Sequence, residues 1–229
     1  MVEMIVLGAL FVGSHFLLSS PGIRRHSVAR VGERGFAVLY SVIALLTLGG
    51  FIAGYNEQLV FSFNYWWGPA PQYYWIAKIL MWTAFVLAVG AFTAPNPSLL
   101  GVTMNSSEPL AHLPQGVQTI TRHPFLWAAT LWAIAHIIAN GDSISVVFFG
   151  WFFVLGLFGA WVLDWKKTQQ LGDGWVHYCK QTSNVPFVGL LSGGATPRPV
   201  DLVLPVVVGT LVYGLVFWAH GYVAGVALF

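Results

Sequence analysis

The stretch TRHPFLWAATLWAIAHIIANGD, Thr121–Asp142, is almost entirely apolar, yet it carries one histidine at its start and another far inside. His123 stands between Arg122 and Pro124, and proline is favoured in the first turn of a helix. The stretch therefore predicts a helix that begins at about residue 125. His136 is twelve residues after Pro124, so with a rise of 1.5 Å per residue it would lie roughly 18 Å from Pro124 along that helix.

Composition indicates the surroundings of this helix. Of the 229 residues, 57% are hydrophobic and only 8% are charged. The mean hydropathy is +0.72, whereas an ordinary soluble domain has about 25% charged residues. These values predict an integral membrane protein whose main partner is the lipid bilayer, with no nucleic-acid partner. The single cysteine, Cys179, excludes an intramolecular disulfide and any multi-cysteine metal motif.

Long apolar runs divide the chain into segments of the length that a bilayer requires, about 20 residues each. They predict an all-α integral membrane protein, a bundle of about six transmembrane helices in one polytopic domain, 1–229. Glu3 in the flank of the first run favours a retained span over a cleaved signal peptide. The predicted spans are about 4–20, 35–54, 75–93, 125–140, 144–163 and 203–223.

Basic residues predict the orientation of this bundle. Nine of the ten lie in the loop after the first span, before the fourth span, or between the fifth and sixth. The positive-inside rule assigns these segments to the cytoplasm, which leaves the N- and C-termini on the outer side. The nine are Arg24, Arg25, Arg30, Arg34, Arg122, Lys166, Lys167, Lys180 and Arg198.

Two histidines are expected at membrane depth, His15 in the first span and His136 in the fourth. Ionisable groups there are costly, so they usually face the bundle interior. Ala129, Trp132 and Ala133 share a helix face with His136 and would leave room beside an aromatic wall. A depth difference of roughly 10 Å is compatible with a tilted haem between them, but helix packing explains such faces equally well. Three more histidines are alternative ligands: His112, His177 and His220.

Arg122 and His123 form a second candidate site at the predicted start of the fourth span. A helix N-terminus offers free amides and positive potential, which would attract an anionic headgroup or a substrate carboxylate. Capping and anchoring to lipid phosphate is the plainer interpretation. We expect Asp164 to form an interfacial ion pair with Lys167.

Three stretches of the sequence resemble those of a known family over about residues 5–190. They are GSHFLLSSPGIRRHSVARVGERGFAVLYSVIAL at 13–45, TRHPFLWAATLWAIAHIIANGD at 121–142 and DWKKTQQLGDGWVHYCKQTSNVPF at 164–187. They occur in the order found in the NnrU family of bacterial membrane proteins, which is related to plant and cyanobacterial 15-cis-zeta-carotene isomerase.

This resemblance implies a bacterial inner-membrane protein that binds haem b iron through His15 and His136. In such a membrane the outer side, where the basic residues place both termini, is the periplasm. The isomerase has a cysteine where this chain has Ala133, so the resemblance does not extend to a thiol ligand switch. His123 matches the TRHP signature of both groups. NnrU proteins are associated with nitrite and nitric oxide reduction, which implies nitric oxide or a hydrophobic molecule as ligand and a reductase or electron donor as partner.

We therefore expect a haem b protein with His136, His15, His123 and Arg122 as candidate catalytic residues. Its function would be either a role in nitrite or nitric oxide reduction or a redox-dependent cis–trans isomerisation of a polyene. One alternative is an S-adenosylmethionine-dependent methyltransferase of an isoprenoid or lipid, with Arg122 and His123 at its cofactor site. The other is a non-enzymatic assembly factor for a reductase.

Overall fold

The computed structural model describes residues 1–60, 64–68, 70–99 and 114–225. In these residues the regular secondary structure is helical, which confirms the expected all-α class; an isolated β-bridge pairs Tyr65 with Asp142. The helices are α1 (Val2–Leu18), α2 (Pro21–Leu59), α3 (Pro71–Gly90), a 3-10 turn (Gly116–Thr119), α4 (Pro124–Asn140), α5 (Ser143–Leu171), α6 (Asp173–Gln181), α7 (Val188–Leu191) and α8 (Pro199–Ala224).

All six predicted spans coincide with helices. Four of these, α2, α3, α5 and α8, are long and apolar enough to cross a membrane, whereas α1 and α4 are shorter apolar helices. Leu45, Leu46 and Leu211 on α2 and α8 have large exposed fractions, from 68% to 71%, as expected of side chains that face lipid. The number of spans and the orientation of the termini stay predictions.

The segment after the first span is helical, and the prediction of a loop there was wrong. Pro21 begins α2 in the first helical turn, a position that suits proline because its nitrogen has no hydrogen to leave unpaired. The arginines that follow are good helix formers. Gly32 then bends the helix with φ 73° and ψ 168°, and Arg24 bonds Glu33 across the bend at 2.6 Å.

The first of two compact units comprises Met1–Ala77 and Ala133–Gly159. Its core contains a set of stacked and tilted phenylalanine rings, which we call the aromatic cluster. The cluster consists of Phe11, Phe51, Phe148, Phe149 and Phe152.

The same unit contains a close contact between α1 and α5. Gly8 on α1 lies so close to Trp151 that a Cβ atom at Gly8 would be 2.0 Å from the indole Cδ1.

The second unit comprises Lys78–Trp132 and Ala160–Phe229. In it, α8 approaches α3 closely, because a Cβ atom added to Gly209 would lie 2.8 Å from the Cα atom of Val86. The single domain expected from the sequence stays a prediction. The buried core of this unit contains Ala84, Leu87, Val117 and Ala128.

Candidate functional site

A half-buried carboxylate organises the polar part of the second unit. Asp164, near the end of α5, accepts two hydrogen bonds from Arg122, from Nε at 2.7 Å and from Nη2 at 2.6 Å. The two side chains are only 17% and 12% exposed. This bidentate pairing matches the planar guanidinium to the planar carboxylate and is among the stronger hydrogen-bonded arrangements in proteins.

His123 bonds the same carboxylate. Its Nε2 lies 2.7 Å from Asp164 Oδ1, while Asn184 donates from Nδ2 to Oδ2 at 3.1 Å. Because an ionised carboxylate only accepts, we assign the proton to Nε2, which leaves a lone pair on Nδ1 of the neutral ring. Burial lowers the pKa of His123 and outweighs the opposing effect of Asp164, so the imidazole is neutral at pH 7.

The chain around residues 182–184 holds the start of α4 in this position. The backbone N–H of Arg122 donates to Ser183 O at 2.9 Å, and the Thr121 hydroxyl donates to Asn184 O. The indole N–H of Trp127, one turn into α4, donates to Asn184 Oδ1 at 3.3 Å. Local backbone pairing therefore places Arg122 and His123 opposite Asp164.

Aromatic side chains of α6 cover the network. The ring centroid of Trp175 lies 6.3 Å from that of His123, and Trp175 is fully buried. Tyr178 donates to Gln118 Oε1 at 2.9 Å, and burial raises its pKa, so it stays protonated. Burial likewise raises the pKa of the Cys179 thiol, which disfavours the thiolate that a nucleophilic role would need.

His15 belongs to the first unit and has a different environment. Its Nδ1 lies 2.8 Å from the carbonyl oxygen of Phe11, one turn earlier in α1. A carbonyl only accepts, so Nδ1 carries the proton and Nε2 has the lone pair. The imidazole makes edge contacts with Phe11 and Tyr40, with centroid distances of 4.6 and 5.6 Å. Metal-bound histidines are commonly oriented by such a bond from the other ring nitrogen.

His136 lies in the part of α4 that belongs to the first unit, and its ring stacks on Phe149 at a centroid distance of 4.5 Å. Ala133, one turn earlier, is fully buried. Ala129 and Trp132 belong to the second unit, where Trp132 packs against the core. The expectation that Ala129, Trp132 and Ala133 line one side of a binding site at His136 therefore stays a prediction.

The aromatic cluster contacts both histidines. Phe11 touches His15, and Phe149 touches His136. Between them, Phe51 lies 6.1 Å from Phe11 and 4.6 Å from Phe148, which lies 5.1 Å from Phe149. The two histidines thus border one apolar cluster. The described part of the chain contains no group of three or more His, Cys, Asp or Glu side chains that could hold a metal ion.

Of the three histidines named as alternative ligands, two lie in the second unit. His177 is exposed and pairs with Gln181 of its own helix at 2.8 Å, while His220 lies on α8 in the second unit. His112 lies outside the described residues.

Sequence reasoning missed the wider role of Asp164; the ion pair that it expected with Lys167 stays a prediction. The structure gives Asp164 three other partners, and it turns Arg122 and His123 inward rather than toward an external anion. A signal was present, because a lone carboxylate at the end of an apolar helix needs a cationic partner when buried. The sequence did not indicate the role of Asn184, because that role depends on a contact with Asp164, 20 residues away.

The fold and the two candidate sites define an all-helical protein of the membrane type, with a buried ionic network and a histidine-flanked aromatic cluster. The chain belongs to the NnrU protein family, whose model matches residues 3–228.

Two curated relatives are chloroplastic 15-cis-zeta-carotene isomerases. The protein from Zea mays is 26% identical over 193 residues, and the one from Arabidopsis thaliana is 27% identical over 197 residues. Each alignment covers 84% of this chain and 51% of the relative, so the chain spans about half the length of the curated relatives it matches. No solved structure matches this chain.

Proposed function

We propose that this protein is a haem b-binding membrane isomerase that acts on the cis double bond of a polyene such as 15-cis-zeta-carotene. The observation that carries the proposal is the geometry of His15, whose Nδ1 is held by Phe11 O beside an aromatic cluster that also contacts His136. The names of the two relatives supply the substrate class.

The donor chemistry of the first unit fits the cofactor. His15, whose Nδ1 is bonded to Phe11 O, would hold the haem iron through Nε2, and His136 would supply the second imidazole. When bound, haem b supplies a redox-active iron that can engage a conjugated double bond. The phenylalanine rings of the aromatic cluster would exclude water and provide apolar contacts for a polyene. Ala133, one turn before His136, offers no third ligand.

We further propose that α1 and α4 complete a bundle of six spans in a bacterial inner membrane. Each has 17 residues, the lower end of the length that crosses a bilayer. Both termini would then lie on the periplasmic side, because the basic residues gather on the other.

The first test is haem content. Absorption spectra of the detergent-purified protein, oxidised and dithionite-reduced, are compared with a pyridine haemochrome assay for wild type, His15→Ala and His136→Ala. We expect sharp reduced α and β bands in wild type and loss of haem from both variants. His177→Ala is the matched control, since His177 is exposed and bonds only within its helix among the contacts described. Full haem content in both ligand variants would refute the ligand assignment.

The second test is turnover. The reduced and oxidised proteins are incubated with 15-cis-zeta-carotene, and the isomers are separated by chromatography. We expect conversion by the reduced protein alone. A haem-loaded protein without turnover would refute the isomerase. If a deletion strain also lost nitrite or nitric oxide reductase activity, that result would favour the assembly factor, with the reductase as partner.

The methyltransferase hypothesis gains no support from the geometry. It requires Arg122 and His123 to bind a cofactor, but the guanidinium and imidazole are directed at Asp164. Calorimetry with S-adenosylmethionine at millimolar concentration would test it independently.

A further inference from the structure

Two buried polar atoms of the second unit lack partners among the described residues. They are Nδ1 of His123 and Nε1 of Trp175, in side chains that are 1% and 0% exposed. An unsatisfied buried donor or acceptor loses its hydrogen bonds to water without replacement, and native proteins pair nearly all such groups. Two of them beside an otherwise fully bonded network therefore point to a shared ligand.

The two atoms are complementary in their hydrogen-bonding needs. Asp164 holds the proton of His123 on Nε2, so Nδ1 needs a donor. The indole Nε1 of Trp175 always carries a hydrogen, so it needs an acceptor. The ring centroids are 6.3 Å apart with the planes tilted by 38°, which places both groups in one neighbourhood without a direct bond. One molecule that both donates and accepts would satisfy both.

The enclosure of the two side chains limits the size of this molecule. His123 and Trp175 are no more than 1% exposed as residues, and both nitrogens are buried, so a lipid or polyene cannot reach both nitrogens. Water is the smallest hydroxylic molecule, and buried waters typically make two to four hydrogen bonds.

We propose that His123 Nδ1 and Trp175 Nε1 bind one internal water molecule, which donates to the imidazole and accepts from the indole. The water extends the network from Arg122 and Asp164 through His123 to α6. Because Asp164 accepts a hydrogen bond from Nε2–H, it strengthens Nδ1 as an acceptor, and the linked bonds polarise one another. The site lies in the second unit and does not rest on the proposed haem function.

The test is nuclear magnetic resonance of the full-length protein in lipid, labelled with ¹⁵N at histidine and tryptophan. We expect a cross-peak between water protons and the Trp175 indole N–H, and a His123 Nδ1 resonance typical of an unprotonated, hydrogen-bonded nitrogen. Trp127 is the internal control, because its indole donates to Asn184 and should show no such cross-peak. Trp175→Phe should move the Nδ1 resonance toward that of a nitrogen without a donor.

The wild-type measurement decides the matter even if Trp175→Phe does not fold. Absence of the water cross-peak at Trp175, or an Nδ1 resonance at the protonated position, would overturn the proposal. An unchanged Nδ1 resonance in a folded Trp175→Phe protein would also overturn it, because the water would then not depend on the indole.

Discussion

Replacing Asp164 by asparagine should destabilise the protein strongly, although the two side chains have nearly the same shape. The carboxylate accepts from Arg122 twice, from His123 and from Asn184. In the variant, an NH2 group replaces one of the two accepting oxygens. That NH2 group is a donor, and it would face the donor groups of the partners that bonded the lost oxygen. It also leaves the guanidinium of Arg122, only 12% exposed, without its counter-charge.

The magnitude follows from the burial of the pair. Removing one partner of a buried ion pair costs about 3–5 kcal/mol, because the other charge stays desolvated. Since Asp164 is 17% exposed, some water reaches the site, and we expect a loss of about 3 kcal/mol in the free energy of unfolding. A loss of that size lowers the folded-to-unfolded ratio more than a hundredfold, since each 1.4 kcal/mol is a factor of about ten.

The assay is reversible unfolding in mixed micelles with increasing denaturing detergent. Asp201→Asn is the matched control. Asp201 forms the same kind of bidentate pair with Arg198, at 2.8 and 2.9 Å, but the side chain of Arg198 is 70% exposed. Exposed pairs contribute little, so we expect no resolvable loss in the control. If the two variants lost equal stability, burial would not be the cause and the reasoning would fail.

Three other perturbations have defined outcomes. The free energy of unfolding should fall as the pH decreases from about 6.5 toward the lowered pKa of His123, because the unfolded chain binds a proton at His123 more readily than the folded chain does. Unfolding of wild type and His123→Gln is compared at about pH 8 and pH 5.5. The free energy of unfolding should decrease less in the variant than in wild type. Gly8→Ala should lose about 1–3 kcal/mol through overpacking, whereas Gly13→Ala, with open space around it, should lose none; thermal unfolding of both in detergent would check this. Gly209→Ala should likewise lower the unfolding midpoint relative to Gly214→Ala, and equal midpoints would contradict the close helix approach.

The helices could be predicted because their signal is local. An apolar run of about 17 residues or more specifies a helix by itself, and each of the six runs forms one. The basic segment after the first run lacked that apolar signal, so a loop was predicted. Its side chains nevertheless favour a helix, and Gly32 supplies the only backbone position in α2 with non-helical angles.

The contacts of the histidines could likewise be predicted only where they are local in the sequence. His15 bonds a carbonyl four residues earlier, a contact that any helix offers, so its orientation could have been derived from the sequence. The partner of His123 lies 41 residues away on another helix, and no periodicity encodes that pairing. Electrostatics at the start of α4 predicted an external anion, but the anion is Asp164 of the same chain. A cation at a helix start in an apolar protein should therefore be matched first against the few internal carboxylates, because a buried charge is costly unless it is paired.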